Sequence, residues 1–181
     1  MSRLISSNLL ALALLAGIAG QSASAADEAP CSGFKWDVSR ELVVMKQTPQ
    51  DITAAGKPGP QVPELKIGKL YAVKLADQGA VIFMANPAIS KSTEGARAGL
   101  VRFRSEKAGR YRVSITSGHW IDIVDAGEIV RSVDFQGHAG CERPRKIVEY
   151  DLPAARELTL QLSGASEAQV LVALTPVSAP P

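Results

Sequence analysis

The sequence predicts an all-β domain, an antiparallel two-sheet sandwich preceded by one short N-terminal helix. Three features carry that expectation. From residue 65 onward apolar and polar residues alternate with a period of two, the mark of a strand buried on one side. Clusters of Gly, Pro, Asp and Ser break the alternation about every ten residues, so the strands are short and joined by tight turns. The apolar side of most runs is Val, Ile, Leu, Phe or Tyr, which only a second layer can cover. A closed barrel has the same alternation and is the alternative architecture.

Along the chain, residues 1–25 read as a signal peptide. Arg3 supplies a positive charge, residues 9–19 are apolar, and Ala23-Ser24-Ala25 fits the small-x-small cleavage rule. Residues 26–64 are a leader, a short helix and a Pro/Gly linker. Val38, Leu42 and Met45 recur at spacings of four and three and give residues 36–46 one apolar helical face. Asp37 can accept the free amides of the first turn, and Pro49 sets the stop. Gly56, Pro58, Gly59, Pro60 and Pro63 make residues 48–63 an irregular excursion, because proline has no amide to donate to a central strand.

Residues 65–176 form the sandwich. The run 65–75 alternates from Tyr71 on, and 81–84 reads as a short buried strand before Asn86-Pro87 breaks it. Residues 90–98 are a polar loop. In 99–105 Val101 and Phe103 face inward and Arg102 and Arg104 outward. In 110–116 Tyr111, Val113 and Ile115 face inward, with Arg110 and Arg112 outward. Residues 119–124 and 128–135 form a hairpin about Asp125-Ala126-Gly127. Residues 136–144 are a second irregular loop. Strands at 146–152, 157–163 and 169–175 complete the layers, and 177–181 is a tail.

Composition narrows the function. There are 20 basic and 18 acidic residues, a net charge of +2. A surface that tracks nucleic-acid phosphates needs clustered excess charge, so nucleic acid is not an expected partner. After the signal no apolar run approaches about 18 residues, so no transmembrane span is expected. The signal places the chain in the periplasm or outside the cell, where thiols oxidise. Cys31 and Cys141 are the only cysteines, and a disulfide between them is the simplest use of an even pair. No G-x-S-x-G, H-E-x-x-H, G-x-G-x-x-G or P-loop is present, and no cofactor is implied.

Four constellations could carry function. His119 and His138, with Asp122, Asp125, Asp134 or Glu142, have the donors of a two-His, one-carboxylate metal site; two exposed loop histidines is the alternative. Asp122 and Asp134 fall on neighbouring strands of one expected hairpin and could act as paired acids, or be two solvated carboxylates. Arg102, Arg104, Arg110 and Arg112 share one face if their two strands pair. With Arg143, Arg145 and Lys146 they could receive an anionic glycan, a lipid headgroup or a phosphate; a solvated, charge-balanced face is the alternative. Trp36 and Trp120 are candidate sugar platforms, or half-buried sheet-end residues.

Residues 108–115, Ala-Gly-Arg-Tyr-Arg-Val-Ser-Ile, followed by Trp120-Ile121-Asp122-Ile123-Val124, resemble the small jelly-roll sandwiches that accompany secreted peptidases, the pre-peptidase C-terminal type. Cys31-Ser32-Gly33-Phe34-Lys35-Trp36, that strand, Cys141 and Arg145-Lys146 together resemble a group of small exported bacterial proteins of unassigned role. Some members of that group carry a homogentisate 1,2-dioxygenase label. The resemblance implies an exported jelly-roll-like sandwich over most of the processed chain. The label implies a metal-dependent oxygenase, but the iron-binding His/Glu motif of that longer enzyme family has no counterpart here, and no catalytic residue is carried over. The expectation is therefore a non-enzymatic binding or envelope-structural module. The alternatives are an oxygenase using His119 and His138, and an anion- or glycan-binding module using the arginines.

Overall fold

The computed structural model describes residues 31–88 and 93–177. The signal-peptide reading of 1–25 lies outside the described residues, as do the leader residues before Cys31 and most of the tail. The chain folds as the all-β two-sheet sandwich, with one α-helix among the described residues, α1 (Ser39–Met45). The strands are β1 (Gln50–Thr53), β2 (Glu64–Leu65), β3 (Leu70–Lys74), β4 (Ala76–Asp77), β5 (Arg97–Ser105), β6 (Gly109–Ile115), β7 (Trp120–Asp125), β8 (Glu128–Val130), β9 (Ser132–Gly137), β10 (Lys146–Leu152), β11 (Arg156–Ala165) and β12 (Gln169–Pro176). One sheet has the order β1-β3-β12-β6-β10-β9; the other runs β2-β5-β11-β7-β8, with β4 also paired to β5.

The alternation places the core. Tyr111, Val113 and Ile115 of β6, Val148, Tyr150 and Leu152 of β10, and Val170, Val172 and Leu174 of β12 project from the first sheet. Val101 and Phe103 of β5, Ile121 and Ile123 of β7, and Leu158, Leu160 and Leu162 of β11 meet them from the second. Tyr150 is the most deeply buried of three core tyrosines, and its hydroxyl donates to the Ile121 carbonyl at 2.9 Å, a bond between the sheets. Burial pushes that phenol's pKa well above its ordinary value, so it stays a donor.

The sheets are mixed rather than purely antiparallel. β1 runs parallel to β3, and β2 runs parallel to β5. Both exceptions come from the expected linker. Residues 50–53 lie along β3, and the chain then crosses between layers. The Ala54 amide bonds the Lys74 carbonyl, while Ala55 exchanges two bonds with Leu100 in the other sheet. Gly99 permits this crossing, since a Cβ there would collide with the Ala54 methyl. The run 65–75 likewise splits, Leu65 going to one sheet and Leu70–Lys74 to the other. Residues 128–135 part at Arg131 into β8 and β9, again in different sheets.

The apolar run 81–84 is not a strand. It begins an irregular segment that lies over the outer face of the second sheet, leaving Ile82 64% exposed. The Gln161 side chain anchors it, accepting from the amides of Met84 (2.6 Å) and Ala85 (3.1 Å) and donating to the Ala85 carbonyl (3.1 Å).

α1 covers the outer face of the first sheet. Val44 and Met45 pack on Leu70 and Ala173, and Phe34 and Val38 pack on Ile147 and Cys141. The Asp37 carboxylate accepts the Ser39 amide at 2.9 Å. The Cys31–Cys141 disulfide closes the lid across 110 positions of sequence.

Candidate functional site

The four arginines do not share a face. β5 and β6 belong to different sheets, so Arg102 and Arg104 leave one layer while Arg110 and Arg112 leave the other. The expected pairing fails because the β5–β6 connection crosses between layers instead of forming a hairpin.

Arg112 is a structural cation. Its register neighbours on the outer face are Glu149 of β10 and Thr175 of β12. Its Nε donates to Glu149 at 2.8 Å, and one terminal nitrogen donates to the Asp37 carbonyl at 2.6 Å and to Glu41 of α1 at 3.2 Å. The Thr175 hydroxyl donates to the other Glu41 oxygen at 2.5 Å, and the Trp36 ring lies 4.7 Å from the guanidinium carbon. Arg112, Glu41, Glu149 and Thr175 are nearly inaccessible to water, and together they fasten α1 to the sheet. Trp36 is thereby engaged with an arginine rather than presented as a sugar platform.

Arg110 lies one step further out. It grips Asp151 through two bonds, 2.7 and 3.1 Å, and reaches Glu149 at 3.2 Å. Bonding to Arg110 holds the Asp151 carboxyl below its usual range. Arg102 has only a 4.0 Å approach to Glu157, and its buried Nε lacks a hydrogen bond. Arg104 is exposed at the end of β5 and forms no ion pair among the described residues.

What the strands separate, the turn between them rejoins. Arg104 is the last residue but one of β5, Arg110 is the second of β6, and Lys107 sits in the connection. All three line an open cleft of about 710 Å³ at one end of the sandwich, together with Lys66. Tyr111 fixes the connection by donating its hydroxyl to the Lys107 carbonyl at 2.8 Å. Glu64 and Glu106 also line the cleft, leaving a cationic excess of two, and Leu65, Ile67 and Val177 supply apolar floor. Glu64 is spoken for: Lys66 donates to it at 2.5 Å and holds its carboxyl below the usual value. Lys66 and Lys107 are the residues that pattern reading misses. The signal for Lys107 was present, because any turn joining strands that carry Arg104 and Arg110 delivers all three to one end.

Arg143, Arg145 and Lys146 sit at the opposite end, since Lys146 pairs with Ile115 while Leu152 pairs with Gly109. Lys146 donates to the carbonyls of His119 (2.6 Å) and Gly118 (3.4 Å), and its ammonium lies 5.9 Å from the Trp120 ring. Its pKa is lowered, first by burial and then by Arg145.

His119 is fully buried, not an exposed loop residue. Its Nδ1 is 2.7 Å from the Ser117 hydroxyl, and its Nε2 makes no hydrogen bond of good geometry. Burial lowers its pKa and outweighs the opposing pull of Glu167 and the Arg97 backbone. His138 lies in the loop before Cys141, its ring 5.8 Å from that of Phe34 and its Nδ1 buried without a partner. Among the described residues no group of three or more His, Cys, Asp or Glu is placed to hold a metal ion. Asp122 and Asp134 stand in different sheets. Asp122 accepts from the Trp120 indole at 2.9 Å and the Ala88 amide at 3.3 Å, and burial raises its pKa. Asp134 turns back onto the Phe135 amide at 2.8 Å.

No helix among the described residues is long and apolar enough to cross a membrane. Comparisons with protein-family models, curated proteins and solved structures return no match to this chain.

Proposed function

We propose that the chain is an exported, non-catalytic binding module that takes an anionic glycan in the cleft at the β5–β6 end. The convergence of Arg104, Lys107, Arg110 and Lys66 on one open cleft of about 710 Å³ carries this reading. Two of these cations, Arg104 and Lys107, have no carboxylate within ion-pair distance among the described residues. Guanidinium and ammonium groups bind sulfate or uronate oxygens directly. The apolar patches between them match the faces of sugar rings, and the volume admits more than a single small anion. An oxidising compartment suits the disulfide that closes the lid.

The test is isothermal titration of a sulfated, uronate-containing oligosaccharide such as a heparin fragment, at about 0.15 M salt, where exposed charges are screened beyond about 8 Å. The expected result is saturable binding that Arg104→Glu with Lys107→Glu abolishes and Lys57→Glu, in the linker, leaves intact. Binding unaltered by the double variant, or none at this salt, overturns the reading. Binding confined to vesicles of anionic lipid assigns the cleft to a membrane surface and overturns it equally.

A further inference from the structure

A second surface lies on the flank where β9 forms the edge of its sheet. Among the described residues β9 pairs with β10 alone, and at six residues it is the longest of the edge strands, against four for β1, three for β8 and two for β2. Natural edges of this length are normally blunted by proline, lysine or a covering element, because free amides and carbonyls template another strand. β9 has neither residue; its irregularity is a bulge at Val133, where the register with β10 slips, and the Lys35 amide bonds the Gln136 side chain, but the strand still exposes Phe135 (68%) and Val133 (45%). The His138 amide donates inward to Arg145, so by alternation the Phe135 amide points off the sheet. There, among the described residues, it donates only to the neighbouring Asp134 carboxylate. Phe135 is opposite Val148, which places its ring at the lip between the two layers. Beneath it is a cavity of about 120 Å³, walled by Trp120, Ile121, Val148 and Tyr150, with Lys146 at its rim.

Charge indicates what fits. Arg131, immediately before β9, and Arg143, Arg145 and Lys146, around the start of β10, make no ion pair among the described residues. The facing acids are Asp134, turned to its own strand, and exposed Glu142. An apolar slot with Lys146 in its lining, and with Arg131 next in sequence to the Ser132 that also lines it, lies beside a strand edge and is complementary to an extended chain that alternates apolar and acidic residues.

We infer that an extended, acidic segment of a partner protein docks here by strand addition to β9. It seats an apolar side chain against Phe135 and Trp120 and sets its carboxylates against Arg131 and Lys146. This site is on a different surface from the glycan cleft and stands or falls separately from it.

The probe is a blocked hexapeptide alternating glutamate with valine and phenylalanine, compared with the same peptide carrying lysine at each glutamate. The full chain is titrated by tryptophan fluorescence, and amide hydrogen exchange is read on β9. The expected outcome is binding of the acidic peptide at least about tenfold tighter than the lysine peptide, a difference of about 1.4 kcal/mol. The Phe135 amide gains protection, and the affinity falls about tenfold or more in Phe135→Asp and in Arg131→Glu with Lys146→Glu. Phe135 is largely exposed, so Phe135→Asp keeps the fold, which an unchanged melting curve verifies. Equal affinity for the two peptides, or binding of neither, overturns the inference. Concentration-dependent dimerisation that Phe135→Asp abolishes assigns the edge to a second copy of this chain and overturns it as well.

Discussion

Replacing Arg112 with methionine removes the cation that holds α1 to its sheet. Methionine keeps the apolar stem but lacks the guanidinium, so the loss is chiefly the charge and its hydrogen bonds. In the native chain Arg112 bonds Glu149 at 2.8 Å, the Asp37 carbonyl at 2.6 Å and Glu41 at 3.2 Å, with the residue only 7% exposed. In Arg112→Met, Glu149 retains Arg110 at 3.2 Å, while Glu41 retains only the Thr175 hydroxyl. Breaking one side of a buried pair costs about 3–5 kcal/mol, mostly the penalty of a carboxylate left without its cation. That is a large share of the roughly 5–15 kcal/mol typical of a domain. Adding Glu41→Gln should restore part of the loss, because an amide needs no counter-charge and can still accept from Thr175. Urea unfolding of the oxidised protein measures both variants, with a coupling between them of about 1–3 kcal/mol. A loss under about 1 kcal/mol for Arg112→Met, or strict additivity of the pair, refutes the view that this cluster fastens the helix.

Replacing Cys31 and Cys141 together with serine opens a loop of 110 residues and should cost about 4–5 kcal/mol by chain entropy, read as a lower urea midpoint; an unchanged midpoint contradicts it. His119 is held neutral by burial, so the unfolded chain takes up its proton first. Its contribution to stability is complete above about pH 6.5 and is lost as pH falls from there through the lowered folded value. His119→Gln should flatten that part of the stability–pH curve, and an identical slope in the variant would sink the assignment. Gln161→Leu strips three hydrogen bonds from the segment over the second sheet, at a cost of about 1–3 kcal/mol, with new proteolytic cleavage between residues 82 and 88. Retained protease resistance there argues that something other than Gln161 anchors it.

The layered core was legible because alternation in 110–116, 146–152 and 157–163 forces one face inward whatever the neighbours are. Which strands become neighbours is set by tertiary pairing, and the periodicity does not encode it. Arg102 and Arg112 therefore read as companions and end in opposite layers. The Pro/Gly signals at 56–63 hid β1, a four-residue strand whose stability comes from pairing with β3. Residues 81–84 looked like a strand because a short apolar run gives no period; only Val81 of the four is buried. For the candidate cleft, Arg104 and Arg110 were visible. Lys66 was not, because it comes from a distant edge that only the fold brings to the same end.

The most direct test of the central claim is amide chemical-shift mapping of the full chain titrated with the sulfated oligosaccharide. The account predicts perturbations concentrated at residues 64–67, 104–111 and 176–177, the two-layer end where the cations meet. Perturbations centred on 143–146 at the other end, or none at saturating ligand, would contradict it.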